Sequence, residues 1–329
     1  MSKDAPIAVI AHSEKKLDGG LNELRRVLAA QGHAAPLWYE VSSSRKAPKA
    51  VRRAVKKGAR LVFVWGGDGM VQRCIDALAG TKGVELAILP AGTANLFATN
   101  LGIPKDLEAA VRIGLRGKRK QLDVGVMNGE RFAVMAGTGF DALTMRDVGS
   151  TAKERLGALA YFRSGIKAMG ARSTKMTVAV DGEVWFKGNA TAVLIGNVGT
   201  VTGGLAVFPK ASPADGLLEI GVVTADNAIQ WMRVFARVAD GHPGRSPFVQ
   251  MTRGKKIVVA LARKLPYELD GGARPPTKKL KVRVKASAVT MCVPAARAAA
   301  RPRATPVRAR PRAESRVAAM APEPVAQPA

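Results

Sequence analysis

Leu61-Val62-Phe63-Val64-Trp65-Gly66-Gly67-Asp68-Gly69 is the stretch that decides the fold. An apolar run without alternation is the mark of a strand covered on both faces. The glycines end it sharply, and Val71, Ile75 and Leu78 then recur at helical spacing. A buried strand that ends in a glycine turn and feeds a helix is the repeating unit of an open α/β sheet. Such sheets bind ligands at the carboxyl ends of their strands.

The same unit recurs on either side. Ile7–Ile10 reads as a strand, followed by a helix face of Leu21, Leu24 and Leu28 that stops at Gly32. Leu37-Trp38-Tyr39 is a second strand, and Val51, Ala54 and Val55 mark a helix ending at Gly58. Val84–Leu89 gives another strand and Leu107–Leu115 another helix. Strands alternating with helices predict an open parallel sheet with helices on both faces. From about residue 122 the pattern changes: Asn128-Gly129 and Asp181-Gly182 sit between apolar runs as hairpin turns do. Strand-like runs follow at 177–180, 191–195, 217–223, 257–262 and 281–284, with helical stretches near 152–170 and 226–239. The expected organisation is an α/β domain over 1–121, a β-rich domain over 122–294, and a disordered basic tail of Ala, Pro and Arg over 295–329.

Composition narrows the function classes. A chain of 329 residues, 47% hydrophobic and 23% charged, has room for two domains with real cores. No run approaches the roughly 18 apolar residues of a membrane span, and the N-terminus lacks signal-peptide anatomy. Two cysteines and three histidines argue against a disulfide scaffold or a zinc site and point to a reducing cytoplasm. The formal charge is +27, and 295–329 contributes only seven Arg against two Glu. Such a field attracts polyanions: nucleic acid, an anionic membrane or a phosphorylated ligand. Only 5% aromatic residues and no nucleic-acid-binding signature make nucleic acid the weakest of these.

Two glycine turns carry the chemistry. In the first, Gly66, Gly67 and Gly69 let the backbone approach a phosphate, and their N–H groups can form an anion cradle. Asp68 cannot itself attract phosphate, but its oxygens suit Mg²⁺; the competing role is a helix cap. In the second, Leu89-Pro90-Ala91-Gly92-Thr93-Ala94-Asn95, Gly92 permits close approach while Thr93 and Asn95 offer donors to a phosphate or ribose.

With these turns in hand, the sequence resembles the diacylglycerol kinase catalytic-domain family, which includes bacterial lipid kinases and sphingosine kinases. Gly66-Gly67-Asp68-Gly69 resembles its nucleotide loop, and Pro90-Ala91-Gly92-Thr93-Ala94-Asn95 its second phosphate-side motif. The likeness continues through Ala136-Gly137-Thr138-Gly139-Phe140-Asp141-Ala142, Ala214-Asp215-Gly216-Leu217-Leu218-Glu219 and Leu269-Asp270-Gly271-Gly272. It implies a nucleotide-binding α/β domain, a β-sandwich-like second domain, and transfer of the ATP γ-phosphate, with Mg²⁺, to a lipid hydroxyl. It places Gly66, Gly67, Gly69, Gly92, Thr93 and Asn95 at the nucleotide, Asp68 and Asp215 at magnesium, and Asp270 with Asp68 in catalysis.

Four departures stand out. Met70-Val71-Gln72-Arg73 replaces the family's Thr, hydrophobic residue, Asn and Glu, and Ala11–Lys16 replaces its Asn-Pro segment. Leu96 stands at an acidic position, and Gly272 replaces the Glu of Asp-Gly-Glu. The expected function is an ATP-dependent lipid kinase, cytoplasmic and peripheral on anionic membrane, acting on diacylglycerol or a similar lipid alcohol. Its competitors are a weak or inactive relative, an NAD kinase-like enzyme and a basic polyanion-binding protein.

Overall fold

The structure, a computed structural model, describes residues 6–78, 80–139 and 173–295. The expected helix at 152–170, the motif residues 140–142 and nearly all of the basic tail lie outside the described residues.

The first half is built as the periodicity predicts. Strands β1 (Ile7–His12), β2 (Leu37–Val41), β3 (Leu61–Gly66) and β4 (Glu85–Pro90) pair in parallel, in the order β2-β1-β3-β4. Every residue of β3 is buried, which explains its unbroken apolar run. Helices α1 (Gly20–Ala30), α2 (Ala47–Lys56), α3 (Asp68–Ala77), the short α4 (Leu96–Asn100) and α5 (Leu107–Arg116) connect and cover the strands. Leu24, Leu28, Val51, Val71, Ile75 and Val111 turn inward onto them at helical spacing.

The second half adds β5 (Lys118–Met127), β6 (Glu130–Phe132), β7 (Met135–Thr138), β8 (Thr174–Val180), β9 (Glu183–Ala190), β10 (Ala192–Gly196) and β11 (Leu218–Val223). Helix α6 (Ala228–Ala239) and strands β12 (Val249–Gly254), β13 (Lys256–Leu269) and β14 (Gly272–Val293) complete it. The pairing is antiparallel throughout this half. Asn128 and Gly129 (φ 49° and 94°) turn the β5–β6 hairpin, and Asp181 and Gly182 (φ 53° and 107°) turn β8–β9. Trp231 and Val234 of α6 are buried, with Phe235 packed beside them.

One strand joins the halves. β14 pairs with β13 and β5 and then, at Thr290 and Met291, lies parallel to Glu85 and Leu86 of β4. Strand β5 runs unbroken through residues 121 and 122, where the sequence pattern changes. Among the described residues no helix is long and apolar enough to cross a membrane.

Candidate active site

The two glycine turns follow the carboxyl ends of neighbouring strands, since Gly66 of β3 pairs with Pro90 of β4. They pack backbone on backbone: a Cβ on Gly92 would lie 2.3 Å from the Gly67 Cα. No side chain fits there, so glycine is required by contact between the turns themselves. A Cβ on Gly69 would meet nothing within 4 Å, and Gly69 and Thr93 are exposed. Gly66 abuts Met70, whose buried side chain underpins the loop from the position where the family carries Thr.

Asp68 joins the turns. It opens α3, yet its carboxylate caps α4: Oδ2 accepts the Leu96 N–H at 3.0 Å and Oδ1 the Phe97 N–H at 2.9 Å. The capping role therefore exists, directed at a helix 28 residues further on. Asn95, expected to face the nucleotide, is instead committed to its own turn. In left-handed conformation (φ 50°) and 6% exposed, it accepts the Gly92 N–H at 2.9 Å and donates to the carbonyls of Pro90 and Gly92. A buried amide needs these partners, and they use both of its hydrogens, so its side chain keeps no donor for a ligand.

Asp270 sits at the tip of the β13–β14 hairpin, also left-handed (φ 47°). Its carboxylate is clamped by three consecutive backbone donors: Ala133 N–H to Oδ2 at 2.7 Å, and Val134 and Met135 N–H to Oδ1 at 2.9 and 3.0 Å. Burial pushes its carboxyl up to about 7; the three N–H groups pull the other way, and the charge of Asp68 adds to the rise. The carboxylates of Asp68 and Asp270, one from each half, are thus close enough to feel one another. Gly272 brings no carboxylate; Arg274 lies over it, donating to its carbonyl at 2.9 Å while gripping Glu130 through two nitrogens.

Asp215 is placed elsewhere. It is exposed on the turn before β11, accepts the Leu217 N–H at 3.0 Å, and neighbours Glu219. Burial, then the charge of Asp215, raises the Glu219 carboxyl against the pull of Arg253 and Lys210. Among the described residues no group of three or more His, Cys, Asp or Glu gathers as a metal cluster.

Three further residues hold the site together. Asp123, 3% exposed, accepts the N–H groups of Ser287 and Gly216. Asn197 donates to the carbonyls of Asp123 and Ala133. Asn100 of α4 exchanges hydrogen bonds with Thr200 and so ties the second glycine turn to the β-rich half. A lone carboxylate inside the apolar run Leu122-Asp123-Val124 was the available sign of the first; the amides gave none.

Paired glycine turns at parallel strand ends, with a carboxylate from a β-sandwich-like half in electrostatic reach, define a two-domain kinase fold. Known proteins share it. Residues 7–127 match the diacylglycerol kinase catalytic domain, and residues 134–293 match the YegS C-terminal NAD kinase beta sandwich-like domain. A diacylglycerol kinase of Mycobacterium tuberculosis is 32% identical over 213 residues, 63% of this chain and 68% of that protein. A probable YegS-like lipid kinase of Pseudomonas aeruginosa is 29% identical over 298 residues, 90% of this chain and 96% of its own. The crystal structure of a diacylglycerol kinase from Bacillus anthracis shares the fold with a TM-score of 0.68 at 21% identity, covering 89% of this chain and 98% of that one. The chain belongs to the diacylglycerol kinase and YegS-like family of lipid kinases.

Proposed function

We propose that the protein transfers the γ-phosphate of ATP to the hydroxyl of a lipid alcohol, with diacylglycerol the first acceptor and phosphatidic acid the product. The observation that carries this reading is that Asp68, at the packed turns of Gly67 and Gly92, lies within electrostatic reach of Asp270 from the other half. The open faces of Gly69 and Thr93 offer a main-chain and hydroxyl surface to the phosphates. A carboxylate whose charge reaches Asp270 across the site suits a divalent cation. Each Asp68 oxygen accepts one N–H and keeps a lone pair, so Asp68 would hold Mg²⁺, which would supply charge neutralisation at the phosphates. Asp215 with Glu219 is a second carboxylate pair, proposed as a structural magnesium position.

Asp270 also compensates for Gly272. Its Oδ1 accepts two bonds and its Oδ2 one, so Oδ2 retains a lone pair for the acceptor proton. As the lipid oxygen bonds to the γ-phosphorus and ADP departs, that proton passes to Oδ2. A carboxyl held near 7 is well matched to this task. Met135, whose N–H helps to clamp Asp270, also lines an apolar cavity with Leu194, Phe208, Trp231 and Val234, which suits acyl carbons. The basic body favours docking on anionic bilayers, each well-placed Lys or Arg contributing about 1 kcal/mol.

The test is transfer of label from [γ-³²P]ATP into a panel of lipids in mixed micelles, with products read by mass and Asp68→Ala and Asp270→Asn as controls. Phosphatidic acid from diacylglycerol, lost in both variants, is expected. Absence of transfer to every diacylglycerol, sphingoid base and ceramide would refute the reading.

A further inference from the structure

A second cavity, of about 440 Å³, opens at the other end of the parallel sheet. Val84 lines it and leads directly into β4, whereas the glycine turns follow the carboxyl ends of β3 and β4. One wall is the loop after α3, with Thr81 and Lys82. The other is a break in β14, whose pairing with β5 slips between Lys285 and Val289 and pushes Ala286–Ala288 outward.

The lining mixes apolar residues with polar ones that are all cationic or neutral. Lys82, Arg131 and Lys285 bring three cations from three separate elements, and Thr81, Ser287 and Thr290 bring hydroxyls; among the described residues no carboxylate lines the cavity. Arg131 gives one nitrogen to Asp76 at 2.8 Å, while its buried Nε meets no acceptor among the described residues. Converging cations with hydroxyl donors complement a tetrahedral oxyanion, and the volume leaves room for an attached organic group.

The cavity is wired to both halves of the catalytic centre. Helix α3 begins at Asp68, and its last turns carry Asp76, the partner of Arg131. Gln72 of the same helix donates to the Arg131 carbonyl at 2.6 Å. Two residues beyond Arg131 begins the Ala133–Met135 clamp on Asp270. We propose that this cavity binds a phosphate group, free or carried on an ester, and that its occupancy is transmitted through residues 131–135 to the seat of Asp270. The binding does not depend on the kinase reading.

Calorimetric titration of the full chain with glycerol 3-phosphate, alongside a saturating non-hydrolysable ATP analogue with Mg²⁺, tests the site. The variant is Lys82→Gln/Lys285→Gln: both side chains are exposed, and its melting temperature checks that the fold is kept. The wild type is expected to bind and the variant to bind about tenfold or more weakly. Sedimentation with phosphatidylglycerol-containing vesicles against pure phosphatidylcholine vesicles distinguishes a lipid headgroup from a soluble ester. Removing two of 52 cations leaves the general field nearly intact, so a selective loss of vesicle binding in the variant also supports the site. Hydrogen exchange at the amides of 133–135 is expected to slow on binding in the wild type alone. Equal affinity of wild type and variant, or no binding of either probe, overturns the site; binding without a change in exchange overturns the transmission.

Discussion

Replacing Asp270 with Asn isolates its charge, because Asn also accepts the left-handed backbone of this tip (φ 47°). The unfolded chain releases this proton near the ordinary 3.8, while the native carboxyl holds it to about 7. A raised carboxyl contributes stability that is present below the unfolded pKa and lost as the pH rises through the native one. For Asp270 that loss is at most about 4 kcal/mol, since some solvent still reaches the group. The Asn variant escapes it but carries a fixed cost. Its carbonyl can take the Val134 and Met135 donors, but its NH₂ then faces the Ala133 N–H, an unmade bond worth about 1–3 kcal/mol at every pH. Urea unfolding followed by circular dichroism from about pH 4 to about pH 8 should therefore show crossing curves. The variant is the weaker protein in acid and level with or above the wild type past neutrality. Its turnover should fall about 10²–10⁴-fold with KM for ATP little changed. Parallel stability curves would refute a native carboxyl near 7, and retained turnover would remove Asp270 as the base.

Asp68→Asn should cost about 2 kcal/mol in denaturant unfolding through the weakened cap on α4. It should also move the acid limb of the pH–rate profile to lower pH, because a like charge no longer raises Asp270. Gly92→Ala drives a Cβ to 2.3 Å from the Gly67 Cα and 2.7 Å from Asn95 Oδ1, so the turns must part. A loss of about 2 kcal/mol or more is expected, with nucleotide binding by calorimetry abolished; wild-type values would contradict the packing. Gly272→Glu meets first the movable end of Arg274, 2.9 Å from the added Cβ, and its melting temperature should stay near that of the wild type. Cys74 and Cys292 are buried, and burial pushes both thiols up, Cys292 to about 12. A disulfide reagent should label them only after unfolding.

Much of this architecture was legible because its signals are local. The run of β3, the helix face of α3 and the two Asx-Gly hairpins each lie within a few residues, and each stands where the periodicity puts it. β14 was legible only as Lys281–Val284, where cations alternate with apolar residues; Pro275 and Pro276 before it, and the slip after Lys285, obscure a strand that runs from Gly272 to Val293. The roles inside the site depend on distant partners. Asp68 finds the donors to its carboxylate at Leu96 and Phe97, and Asp270 finds its own more than 130 residues back along the chain. Glycine marked both turns, but nothing in the local sequence revealed that Asn95 would turn inward, because only the folded loop brings the Pro90 and Gly92 carbonyls onto its amide.

The path of β14 bears on how the protein is made. During synthesis the first four strands leave the ribosome long before residues 290 and 291, so the outer edge of β4 waits open while the intervening chain is translated. A nascent α/β half is therefore an unfinished template with an adhesive border. Its closure by β14 makes maturation of this half contingent on translation through residue 291.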